Sequence, residues 1–140
     1  MRKQILIVVS LFLVLVLPAV SAHAQASAVL LARIPFNFTV SGKTLAAGDY
    51  AMMLQPHQLT IEDDERKIVA RVLVNDSGNS ADKKGQLIFH CYEDRCFLAE
   101  VWPASSHERG CEVLTSRAEA ALAKHRPGQY FAVLGSKPGK

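Results

Sequence analysis

The amino-acid sequence predicts a mainly β domain, a small antiparallel β-sandwich or barrel, with one helix close to its C terminus. Three observations predict it. Short extended runs, alternating or β-branched, recur between residues 29 and 114, each bounded by Gly, Ser, Asn or Asp. Their regular spacing is that of an all-β architecture rather than of strands alternating with helices. One stretch alone, SRAEAALAKH at 116–125, joins a capping-box start to a run of strong helix formers, and Pro127-Gly128 stops it.

The chain begins with Arg2 and Lys3, an apolar run at 5–17, Pro18 and then SAHAQA, with small Ala22 and Ala24 flanking His23. That is the layout of a secretory signal peptide, residues 1–24, with cleavage expected before Gln25. The run is shorter than the roughly 20 apolar residues a membrane helix needs, and no second stretch approaches that length. A secreted or periplasmic mature chain with no membrane span is therefore expected. Its 116 residues suit one domain, 25–134, followed by a disordered tail at 135–140. Without Arg2 and Lys3 the 16 basic residues become 14 against 13 acidic ones, a net charge of +1. So balanced a chain is not expected to bind nucleic acid. A local excess remains after Ser116, where Arg117, Lys124, Arg126, Lys137 and Lys140 face one acid, Glu119.

Along the mature chain, LLARIPFNFTV (30–40) alternates Phe36, Phe38 and Val40 with Asn37 and Thr39, and its Pro35 suits an edge or a strand start. Ser41-Gly42-Lys43 is a turn. TLAAGDYAMML (44–54) resumes as a second strand, with a bend or bulge expected at Gly48-Asp49. LTIEDDERKIVARVLV (59–74) reads as a hairpin with its charged tip at 63–66, and the polar residues 75–85 read as an exposed mobile loop. QLIFHCYEDRCFLAEVW (86–102) is a second hairpin around Glu93-Asp94. CEVL (111–114) is a short strand, residues 117–125 are the helix, and YFAVL (130–134) closes the sheet.

Several motifs fail on spacing. SGKT at 41–44 has the end of a phosphate-binding loop, but Asn37 stands where its first glycine belongs and no helix follows. The oxygen-rich segment from Asn75 has Gln86 where a calcium loop needs a bidentate glutamate. Cys91, Cys96 and Cys111, with His90 and His107, lack the short ligand pairs of structural zinc, and exported cysteines tend to oxidise. A two-residue turn at Glu93-Asp94 pairs Tyr92 with Arg95 and places Cys91 directly opposite Cys96, at a close, non-hydrogen-bonded position. A Cys91–Cys96 disulfide follows, leaving Cys111 buried as a small apolar side chain or bridging two molecules.

Adjacent Ser105, Ser106, His107 and Glu108 do not make the spatial relay that activates a serine. Glu100, the one acid in an apolar strand, is expected to face solvent or pair with a base such as Arg71 or Lys84. Tyr92 and Trp102 are expected to pack across strands. No catalytic, cofactor-binding or metal-ligating residue is assigned.

Four stretches carry a family resemblance: IPFNFTVSGKTLAAGDY (34–50), FLAEVWPASS (97–106), CEVL (111–114) and SRAEAALAK (116–124). Together they resemble a family of small exported proteins of acidobacteria-like soil bacteria, a likeness that implies export and fold but no activity. The expected function is that of an exported non-enzymatic β domain that binds a protein or envelope component or has a structural role. A small-ligand carrier is the alternative, and a hydrolase using Glu100 the less favoured one.

Overall fold

The structure is a computed structural model and describes residues 28–105 and 107–139. The expected signal peptide and its cleavage site lie outside the described residues, as do Ser106 and Lys140. Along the described chain run β1 (Ala28–Ile34), β2 (Phe38–Val40), β3 (Lys43–Leu45), β4 (Gly48–Gln55), β5 (Gln58–Glu62), β6 (Ile68–Gly78), β7 (Gln86–Tyr92), β8 (Arg95–Trp102), β9 (Gly110–Val113), helix α1 (Arg117–Ala123) and β10 (Gln129–Ser136).

Local chemistry sets the turns. Ser41 and Gly42 both take positive φ, 48° and 80°, the requirement of a two-residue hairpin that follows the strand twist. Pro56 presets the first turn position between β4 and β5, and His57 takes φ 60° at the second. Between β5 and β6, Asp63 Oδ1 accepts the backbone N–H groups of Glu65 and Lys67, at 3.0 and 2.9 Å.

Between sandwich and barrel, the pairing decides for a barrel. Eight strands follow one another round a closed antiparallel ring, β8-β7-β10-β1-β4-β5-β6-β9, and β9 returns to β8 through Glu100↔Glu112 and Val101↔Cys111. The β2–β3 hairpin stands beside the ring, with β2 parallel to β8 through Phe38↔Cys96 and Thr39↔Phe97. Alternate side chains fill the interior, with Leu30, Met52, Leu59, Ile61, Leu87 and Phe89 fully buried. A shift in the β7–β8 register sets Ile88 against Glu100 but Phe89 against Leu98. The extra residue, Ala99, lets Leu98 and Val101 both face inward, so an apolar run without clean alternation still fits one strand.

Sequence expectations are corrected in five places. Pro35 divides the first extended segment into β1 and β2. The break in the second extended segment falls at Ala46-Ala47, between β3 and β4, rather than at Gly48-Asp49, which pair regularly with Ile34 and Arg33. Residues 75–78 are strand rather than loop, because β9 pairs with them through Asn75↔Glu112, Asp76↔Cys111 and Gly78↔Gly110. Helix α1 stops at Ala123, two residues early. The tail starts later than expected, since Gly135 and Ser136 still belong to β10 and pair with Ala32 and Leu31. Gly135 is needed there: a Cβ would collide with the Leu30 side chain and the Leu31 carbonyl.

Candidate functional site

The ring closes at two short seams. At the first, β8 and β9 share two residue pairs, and the rest of that β8 edge is taken up by β2. At the second, β1 and β10 share two pairs, Leu31↔Ser136 and Ala32↔Gly135. Extending that register places Ile34 opposite Val133, after which Pro35 turns the chain away toward β2. No strand among the described residues continues along β10 from Ala132 back to Gln129.

β10 is held along its other edge by β7 over six pairs, Gln129↔Cys91 through Leu134↔Gln86. The Gly135 N–H donates to Gly85 O at 2.8 Å, so the odd-numbered residues of β10 bond toward β7. The amides of Tyr130 and Ala132 therefore point into the open seam, whereas that of Leu134 faces Arg33 of β1. The side chains are as bare as the backbone. Tyr130 is 74% and Leu134 79% exposed on the outer face, and Phe131, on the inner face, is 46% exposed. Natural edge strands are usually blunted by charge, proline or cover. This one carries no charged residue from Pro127 to Ser136, while exposed His125, Arg126 and Lys137 flank it.

Behind β10 lies a polar cluster joining barrel to helix. Ser116 Oγ accepts the Glu119 N–H at 3.2 Å and caps α1, as its sequence implies. The Glu119 carboxylate does not complete the reciprocal half of the box. It turns onto the barrel, where Oε1 lies 3.2 Å from His90 Nδ1 and accepts a weak 3.5 Å bond from the Tyr92 hydroxyl. Tyr130 closes the group with its ring edge-on to His90, centroids 4.5 Å apart. Burial pushes the Glu119 carboxyl above the usual carboxylate range, with His90 pulling part of the way back. Burial, then Glu119, likewise raises the Tyr92 phenol. Arg126 pairs with Glu93 at the β7–β8 turn and fastens the chain just before β10.

Other residues singled out from the sequence fall elsewhere. Cys91 and Cys96 are disulfide-bonded across the β7–β8 hairpin, with Cα atoms 4.0 Å apart. Cys111 is a free, buried thiol whose pKa burial pushes up to about 12. Glu100 pairs with Lys83, at 3.0 Å, not with Arg71 or Lys84, and accepts the Trp102 Nε1–H at 2.6 Å. Lys83 also lies 5.1 Å from the Trp102 ring centroid. That arrangement offsets the like charges of Glu100 and Glu112 facing each other across the β8–β9 seam. Tyr92 and Trp102 are packing groups, Trp102 lying over Gly110 and Tyr92 edge-on to Phe97. The His107 N–H bonds to Ser105 Oγ within its own loop. No group of three or more His, Cys, Asp or Glu converges among the described residues.

Sequence reasoning missed both the bare edge and the Glu119–His90–Tyr92 cluster. The uncharged run at 127–136 was a signal for the first. Nothing local links Glu119 with a histidine 29 positions away. Compared with known proteins, the chain matches no family model, no curated protein and no solved structure.

Proposed function

We propose that this protein is an exported, non-enzymatic binding module that takes an extended segment of a partner protein as an additional strand along β10. The observation that carries the reading is the seam left unfilled among the described residues, with two outward amides and a bare apolar strand beside a packed barrel. Strand addition of this kind draws affinity from main-chain hydrogen bonds and selectivity from alternate side-chain positions. Here Phe131 on one face and Tyr130 and Leu134 on the other favour a segment that is apolar on both sides. The bases flanking β10 favour acidic residues at its ends. Export is supported by the signal-like N terminus and the Cys91–Cys96 bridge.

The test uses the mature, oxidised protein and a synthetic peptide of alternating valine and threonine flanked by glutamates, followed by backbone NMR. Saturable shifts at Tyr130 and Ala132 are expected, with weaker binding of a lysine-flanked version. Ala132→Pro deletes a seam-facing N–H without touching the β7 ladder, so it should keep the fold and lose the peptide. Absence of binding, or binding indifferent to Ala132→Pro, overturns the reading. Concentration-dependent dimerisation that disappears in Ala132→Pro would make a second copy of this chain the occupant and overturn the partner assignment.

A further inference from the structure

At one mouth of the barrel, between the Pro56-His57 turn and the start of β9, the side chains leave a cavity of about 350 Å³. Its walls are the inward residues Leu54, Val74 and Cys111, with Pro56 at the lip. The space exists because two neighbours vacate it. Asp76, inward by register, swings to the rim, where Oδ2 accepts from Arg109 at 2.7 Å and Oδ1 from the Gly78 N–H at 2.8 Å. Cys111 presents a neutral thiol in place of a larger group.

The rim is electrostatically one-sided. Arg109 is engaged by Asp76, and Glu108, which also lines the cavity, has no side-chain partner among the described residues. Two carboxylates against one guanidinium leave a net negative opening over an apolar floor. Mouths of β-barrels with such an apolar body and few polar groups are recurrent sites for small ligands.

We infer that this mouth is a binding site, separate from β10, for a small apolar amine, with its hydrocarbon body against Leu54, Val74 and Cys111 and its ammonium at Glu108. An ammonium donates to the carboxylate that Arg109 leaves free. A carboxylate ligand of the same shape meets Glu108 and an Arg109 already occupied by Asp76, and is disfavoured.

Three probes sharing one ring system separate body from head group: tryptamine, indole and indole-3-acetate, titrated at pH 7 into the mature, disulfide-intact protein and followed by backbone NMR. Saturable shifts centred on Leu54, His57, Val74 and Cys111 are expected. Tryptamine should bind about three-fold more tightly than indole, the scale of an exposed ion pair, and indole-3-acetate most weakly. Glu108→Gln, on an exposed side chain, should remove the preference for tryptamine and keep indole binding. Ala132→Pro should change neither. No saturable shift from any probe, shifts confined to β10, or equal binding of the anion overturns the inference. Val74→Phe fills the cavity and should abolish binding of all three probes. Unaltered indole affinity in the folded Val74→Phe protein also overturns it.

Discussion

The two seams of the barrel begin alike and end differently. Each joins its strands through two residue pairs. At β8–β9 the remaining edge of β8 is covered by β2, and Phe38 from that hairpin packs edge-on against Phe89. At β1–β10 no strand among the described residues covers β10 from Ala132 back to Gln129. Phe89 and Phe131 make the contrast concrete, since they stand opposite each other in the β7–β10 register and both face inward. Phe89 is fully buried and Phe131 is 46% exposed. Barrel closure alone therefore does not remove an edge. It must be carried along the whole strand, and where the chain turns away at Pro35 the edge survives.

The largest expected effect comes from breaking that contrast by truncation. Phe89→Ala should cost about 3–5 kcal/mol, because Phe36 and Phe38 both pack on that ring, at 5.0 and 5.5 Å between centroids. Phe131→Ala, on the opposite strand, should cost less than about 1 kcal/mol, as a half-exposed site with little cavity to leave. Urea unfolding of both variants checks the pair. Equal losses would mean that Phe131 is part of the core and the seam is closed.

A smaller effect is expected at the disulfide, which ties the edge of β8 that receives β2. Replacing Cys91 and Cys96 together by alanine should lower stability by about 2 kcal/mol, the chain-entropy value for so short a loop. Non-reducing peptide mapping of the oxidised protein should recover Cys91 joined to Cys96, with Cys111 free. A dominant bridge to Cys111 would show that the hairpin register is wrong.

Beside β10 the effects should be smaller again. Ser116→Ala should cost about 1 kcal/mol through loss of the α1 cap, read as faster amide exchange in the helix. Glu119 adds a pH dependence whose sign is defined. Burial raises its carboxyl in the folded state, so its contribution is present below the ordinary carboxylate range and is lost as pH rises through that range to the raised value. Relative to Glu119→Gln, the unaltered protein should gain stability between pH 7 and pH 4, measured as the difference in urea midpoints. Asp49, held low by Arg33, acts in the opposite direction, but it is common to both proteins and cancels. A difference that grows toward pH 7 would mean that attraction to His90 outweighs burial.

Much of this fold was legible because its determinants are local. Alternation at Phe36, Phe38 and Val40, the Ser116 cap and the two-residue turn at Glu93-Asp94 each act within a few residues, and the Cys91–Cys96 bridge follows from that turn alone. Sandwich against barrel was not legible, since it depends on Val101 meeting Cys111 and Leu31 meeting Ser136, contacts between distant strands. Residues 75–78 read as loop because their polar side chains suppress any apolar period, yet β9 supplies backbone partners that composition does not encode. The candidate site was the least legible part. YFAVL reads as a closing strand, and its apolar character gives no hint that one edge stays open. That openness follows from where Pro35 ends β1.

Residue-resolved hydrogen exchange on the oxidised monomer tests the bare edge most directly. In β10 the amides of Phe131 and Val133, bonded to β7, should exchange slowly, while those of Tyr130 and Ala132 should exchange at near-unprotected rates. Uniform protection from Tyr130 to Val133 would contradict the account, because it would show that the seam is already closed within the chain.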